Sequence, residues 1–159
     1  MDFNLDILLP KALNLKDIYL YEDLVEWGGE TYRRDPPVYN WNDKLILVEN
    51  SLPTIYGNFL DNYINLKDYE VLTLKGGGLS ELEWAVNKDG DITENPLIEF
   101  INTSLAKISG WGLILSLDDE KIGTVKKVDN PLICSSILVE ALKWEEPHGV
   151  IILNKLKSI

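Results

Sequence analysis

The residue types that most often carry nucleophilic or metal chemistry occur once each, as Cys134 and His148. A zinc site of the usual Cys/His composition needs more ligands than that. A thiol–imidazole pair would need the two within hydrogen-bond reach. Cys134 falls within an apolar helical pattern, and His148 follows its end between Pro147 and Gly149. The separation of 14 positions would span roughly 21 Å as helix. Cys134 is therefore expected in the core, as a small apolar residue, and His148 in a solvated turn.

Other motifs fail on spacing. Asn87-Lys88-Asp89-Gly90-Asp91-Ile92-Thr93-Glu94 resembles part of a calcium loop. Placing Gly90 at the loop glycine puts Ala85 at the first ligand position and Pro96 at the closing one, and neither side chain offers an oxygen. A tight hairpin turn at Asp89-Gly90 is the expectation. Gly76-Gly77-Gly78 follows a strand-like run, but Leu79-Ser80-Glu81 stands where a phosphate loop needs Lys and Ser/Thr. Carboxylate pairs recur at Glu22/Asp23, Asp118/Asp119/Glu120 and Glu145/Glu146. Any pair could serve acid–base chemistry, yet 26 acids in 159 residues make adjacency a matter of abundance. No cofactor, metal or catalytic constellation is assigned, and the chain is not expected to be an enzyme.

The aromatics are more informative. All seven tyrosines lie in residues 19–69, and Trp27 and Trp41 bracket a segment holding Tyr32, Arg33, Arg34 and Tyr39. Those arginines are the only two in the chain. Trp, Tyr and Arg dominate binding hot spots, because they combine large contact area with a polar handle. This segment, with the acidic turn Asp118, Asp119 and Glu120, is the expected partner-binding surface. The competing expectation makes Trp27 and Trp41 core anchors and pairs the arginines with local acids.

The formal charge is −11, spread evenly: residues 1–80 carry 13 acids against 7 Lys/Arg, and residues 81–159 carry 13 against 8. Such a field opposes nucleic-acid binding, which rests on neutralising phosphates, and favours a basic protein partner. A lone cysteine permits no intrachain disulfide and suits a reducing compartment. The first residues carry acids where a signal peptide carries Lys or Arg. No apolar run approaches the ~18 residues of a membrane span. A cytoplasmic chain is expected.

The elements that must position these residues are read from periodicity. A single domain is expected over residues 1–159, loop-rich over 1–43, with a strand-hairpin-helix core over 69–153. Residues 13–21 suggest a strand, and residues 25–32 a hairpin turning on Gly28-Gly29. Asp35-Pro36-Pro37 forces an extended loop. Residues 44–49 and 69–74 read as strands, and residues 53–66 as a short helix with Ile55, Phe59, Leu60 and Tyr63 on one face. Leu82, Trp84 and Val86 alternate as in a strand. Asn95-Pro96-Leu97-Ile98 recurs as Asn130-Pro131-Leu132-Ile133, 35 positions later; each is a helix start with an Asn cap and Pro in the first turn. The first helix would face inward through Leu97, Ile98, Ile101, Leu105 and Ile108. The second would use Leu132, Ile133, Ile137, Leu138, Ala141 and Leu142. Strands over 113–117, 122–128 and 150–153 complete the pattern. The echo is short and is also a favoured helix start, so it is weak evidence for duplication.

The expected class is α+β, a mainly antiparallel sheet with two or three helices packed on one face. The expected function is a small acidic protein-binding domain, such as an inhibitor or immunity protein neutralising a basic toxin nuclease. The alternatives are a small-molecule-binding domain or a non-catalytic subunit.

Overall fold

The structure is a computed structural model that describes residues 3–117, 122–143 and 149–155. Ten strands and four α-helices follow one another along them. The strands are β1 Phe3–Pro10, β2 Leu20–Glu22, β3 Leu24–Trp27, β4 Glu30–Arg33, β5 Val38–Trp41, β6 Leu45–Glu49, β7 Tyr69–Gly76, β8 Trp111–Leu117, β9 Ile122–Lys127 and β10 Gly149–Asn154. The helices are α1 Thr54–Asp61, α2 Leu79–Asn87, α3 Pro96–Thr103 and α4 Pro131–Ala141. Eight strands form one sheet in the order β2-β5-β6-β7-β1-β8-β10-β9, and β3 and β4 pair only with each other. The class is α+β, with a sheet larger than the sequence suggests. All ladders are antiparallel except β9–β10, which α4 joins as a parallel crossover.

Sheet alternation separates two cores. Leu5, Ile7 and Leu9 of β1 point to the larger, with Trp41, Leu47, Leu72, Leu113 and Ile152 from other strands. Leu82 of α2, Leu97, Phe100 and Ile101 of α3, and Cys134 and Leu138 of α4 close it. Three helices thus share one face, as expected. The fourth, α1, lies on the other, where Tyr56, Leu60 and Ile64 pack on Leu8, Ile114 and Ile151.

Several local expectations are corrected. Leu15–Ile18 is a 3-10 turn, and only Leu20–Glu22 of the segment 13–21 is strand. Residues 82–86 belong to α2. Leu79, Leu82 and Val86 turn inward at helical spacing, while Trp84 is exposed; the Glu81 carboxylate accepts from the Gly78 N–H at 3.1 Å and starts the helix. Asp89-Gly90 ends that helix and makes no hairpin: the Gly90 N–H donates to the Ala85 carbonyl at 2.8 Å. On α1, Ile55 is exposed and Tyr56 takes the inward position, and Tyr63, in the turn after the helix, is exposed too. On α4, Leu132 and Ile133 are exposed, and Cys134, Ser135 and Leu138 face the core.

Both Asn-Pro starts are helix caps. Asn95 Oδ1 accepts from the Leu97 and Ile98 N–H groups, and Asn130 Oδ1 from that of Leu132. The likeness ends there, because α2 and α3 precede β8 whereas α4 links β9 to β10. No helix among the described residues is long and apolar enough to cross a membrane.

Candidate partner-binding surface

Residues 24–33 form a two-stranded hairpin outside the main sheet. Its turn is Gly28-Gly29, with φ of 60° and 80°. A two-residue loop needs positive φ at both central positions to match strand twist, and glycine adopts it without strain. The register pairs Trp27 with Glu30 and Val25 with Tyr32. Val25, Trp27, Glu30 and Tyr32 therefore share one face, and the Tyr32 hydroxyl donates to the Glu30 carboxylate. Trp27, beside the turn, is 78% exposed.

The opposite hairpin face is anchored. Arg33 Nε donates to Glu22 Oε2 at 2.6 Å, and Arg34 Nε lies 3.2 Å from Asp23 Oδ2. The Glu22 carboxylate raises the Arg33 pKa above its ordinary value. Both guanidiniums are thus engaged by local acids, as the competing expectation held. They orient the hairpin on the end of β2 and leave its aromatic face outward.

The other candidates separate by burial. Trp41 is 1% exposed. Its indole N–H donates to Ser104 Oγ at 2.8 Å, and its ring meets Phe100 edge-on at 5.4 Å. Tyr39 is buried beside it in the same core; burial, then Glu70 and Glu22, push its pKa up. Trp41 and Tyr39 are therefore scaffold for the surface, whereas Trp27 and Tyr32 are exposed. Asp118, Asp119 and Glu120 lie outside the described residues, as do Glu145, Glu146 and His148.

Beside the hairpin anchor lies a concavity of about 350 Å³ lined by Tyr21, Glu22, Asp23, Asn40, Asn42 and Asp43. Asn42 and Asp43 occupy a turn with φ of 49° and 56°, held where Asn40 Oδ1 accepts from the Asp43 N–H at 2.7 Å. Tyr21, Asn42 and Asp43 escaped the sequence reading. Asn-Asp between two apolar runs is the turn signal that could have found them. Residues 22–43 hold six acids and two arginines, an excess of four negative charges. Hairpin and cleft together set an aromatic face next to a hollow lined by Glu22, Asp23 and Asp43, the first two paired with Arg33 and Arg34. Among the described residues, no group of three His, Cys, Asp or Glu side chains is placed to hold a metal ion.

No family model, no curated protein sequence and no solved structure matches the chain.

Proposed function

We propose that this chain is a protein-binding domain that captures a basic partner on the Trp27 hairpin and the adjoining acidic cleft. In this reading it acts in the cytoplasm as an inhibitor or immunity factor, and a cationic toxin such as a nuclease is the kind of partner it fits. One observation carries the reading: Trp27, the most exposed large apolar side chain of the described residues, stands on a hairpin whose neighbourhood is acidic. An exposed indole gains most of its contact energy only when a partner covers it. Acids around it speed encounter with a cation-rich surface and make the on-rate fall with salt.

The test is a pull-down from source cells with the tagged chain and its Trp27→Ala variant, at low and at high salt. The expected result is one basic protein, recovered stoichiometrically by the parent chain at low salt and lost in the variant and at high salt. Capture of no basic protein, or equal capture by Trp27→Ala, overturns the proposal.

A further inference from the structure

A second concavity lies on the other sheet face, at the far end from the hairpin. Helix α1 and the turn after it cover β1, β8 and β10 there, through Leu60 and Ile64 on Leu8, Ile114 and Ile151. The trough left between α1 and β9 has a volume of about 640 Å³, within the ~300–1,000 Å³ range of small-ligand sites. Phe59 of α1 and Tyr63 in the turn that follows it, with ring centroids 5.0 Å apart, form one wall. Val125 of β9 and Leu153 of β10 also line it. Tyr63 is 56% and Val125 42% exposed, so substantial apolar surface meets solvent there.

The charges of the trough differ from those of the molecule. Lys127 and Lys155 line it together with a single acid, Asp129. Among the described residues, neither lysine has an ion-pair partner. Two ammonium groups against one carboxylate leave one positive charge, in a chain whose net charge is −11. A monoanion matches that balance. An added strand on β9 is opposed by Lys126 and Lys127, since lysines on an edge strand work against edge-to-edge pairing.

We propose that this trough binds a small amphipathic carboxylate, with its apolar chain along Phe59, Tyr63 and Val125 and its carboxylate between Lys127 and Lys155. Seven inter-strand steps separate β2 from β9, roughly 34 Å at ~4.8 Å each. The site is therefore independent of the partner-binding surface.

The experiment titrates the full chain with decanoate, decanol and decyltrimethylammonium by calorimetry, below the micelle threshold of each. Lys127→Gln/Lys155→Gln, Tyr63→Ala and Trp27→Ala variants are titrated alongside, with circular dichroism to confirm folding. Decanoate is expected to bind with one-to-one stoichiometry and to raise Tm by mass action. The double lysine variant should weaken it about tenfold, Tyr63→Ala should also weaken it, and Trp27→Ala should not. Absence of decanoate binding, equal binding of decanol or the cationic detergent, or decanoate affinity unmoved in the folded lysine variant overturns the proposal. Because Trp27→Ala serves as the internal control, failure here is distinct from failure of the partner reading.

Discussion

Trp27 and Trp41 bracket one segment of sequence and should differ sharply in energetic weight. Trp27 has about a fifth of its surface shielded. Full burial of a large apolar side chain is worth ~1.5–3 kcal/mol, so Trp27→Ala should cost about 0.5 kcal/mol. Trp41 is fully enclosed, packs edge-on against Phe100 and donates to Ser104. Truncating such a ring costs ~3–5 kcal/mol in transfer and cavity terms, and the lost hydrogen bond adds ~1 kcal/mol. Trp41→Ala should therefore remove about 4–6 kcal/mol, much of the ~5–15 kcal/mol that stabilises a domain. Trp41→Phe keeps a ring against Phe100 and should lose about 2–3 kcal/mol. Urea unfolding followed by far-UV circular dichroism reads all three. With a slope near ~2 kcal/mol/M, Trp27→Ala moves the midpoint by roughly 0.25 M and Trp41→Ala by ~2–3 M. A Trp27→Ala loss above ~1.5 kcal/mol would mean that the hairpin packs on the body of the protein. A Trp41→Phe variant as stable as the parent would refute the packing described for that indole.

Three further outcomes follow from other parts of the molecule. Burial above all raises the pKa of Asp6 above its ordinary 3.8, while the Thr73 hydroxyl donating to it pulls the value back. The folded state thus holds that proton more tightly than the unfolded state, so the Asp6 contribution to stability falls as pH rises from 3.8 through the folded pKa. Asp6→Asn should raise the urea midpoint at neutral pH and flatten this acid-side dependence, Thr73→Val should cost ~1.5–3 kcal/mol, and a midpoint difference between parent and Asp6→Asn that is constant with pH would contradict the raised Asp6 pKa. Gly77 has φ of 90°, and a Cβ there would sit 1.9 Å from the Lys44 carbonyl oxygen; Gly77→Ala should cost at least ~3 kcal/mol. Gly29→Ala, with φ of 80° but open space around the added carbon, should cost only ~1–2 kcal/mol, and equal midpoints for the two variants would count against the packing at Gly77. The Cys134 thiol is fully buried and pushed up to about 12, so native protein should leave Ellman's reagent unreacted at pH 8 and release one equivalent on unfolding; a rapid native reaction would refute its burial.

Features decided by neighbouring residues were legible in the sequence. Gly28-Gly29 between short alternating arms leaves few options besides a hairpin. Asn-Pro at residues 95–96 and 130–131 caps two helices because side-chain oxygen and fixed φ act locally. Features decided by distant partners were not legible. Trp41 becomes core because Phe100 and Ser104, on and just after α3, close over it, and nothing within residues 27–41 distinguishes it from Trp27. Leu82 and Val86 fit strand alternation and helical spacing equally, and packing against the main core selected the helix. The inward face of α1 shifted to Tyr56 because a second core exists, and no local pattern announces a second core. The division of residues 27–41 into exposed hairpin and buried scaffold required the fold.

Strand β1 sits in the middle of the sheet between β7 and β8. Asp6 pairs with Thr73, 67 residues on, and with Ile114, 108 residues on. At ~5–20 residues per second, translation needs roughly 5–20 s to proceed from Asp6 to Ile114. Throughout that time Ile7-Leu8-Leu9 has no strand to pair with on the β8 side. Non-local pairing of this kind also slows refolding, toward the millisecond-to-second range of β-rich domains. The chain thus makes its central strand early and completes the pairing around it late, so that apolar run stays unpaired on one side until β8 is made.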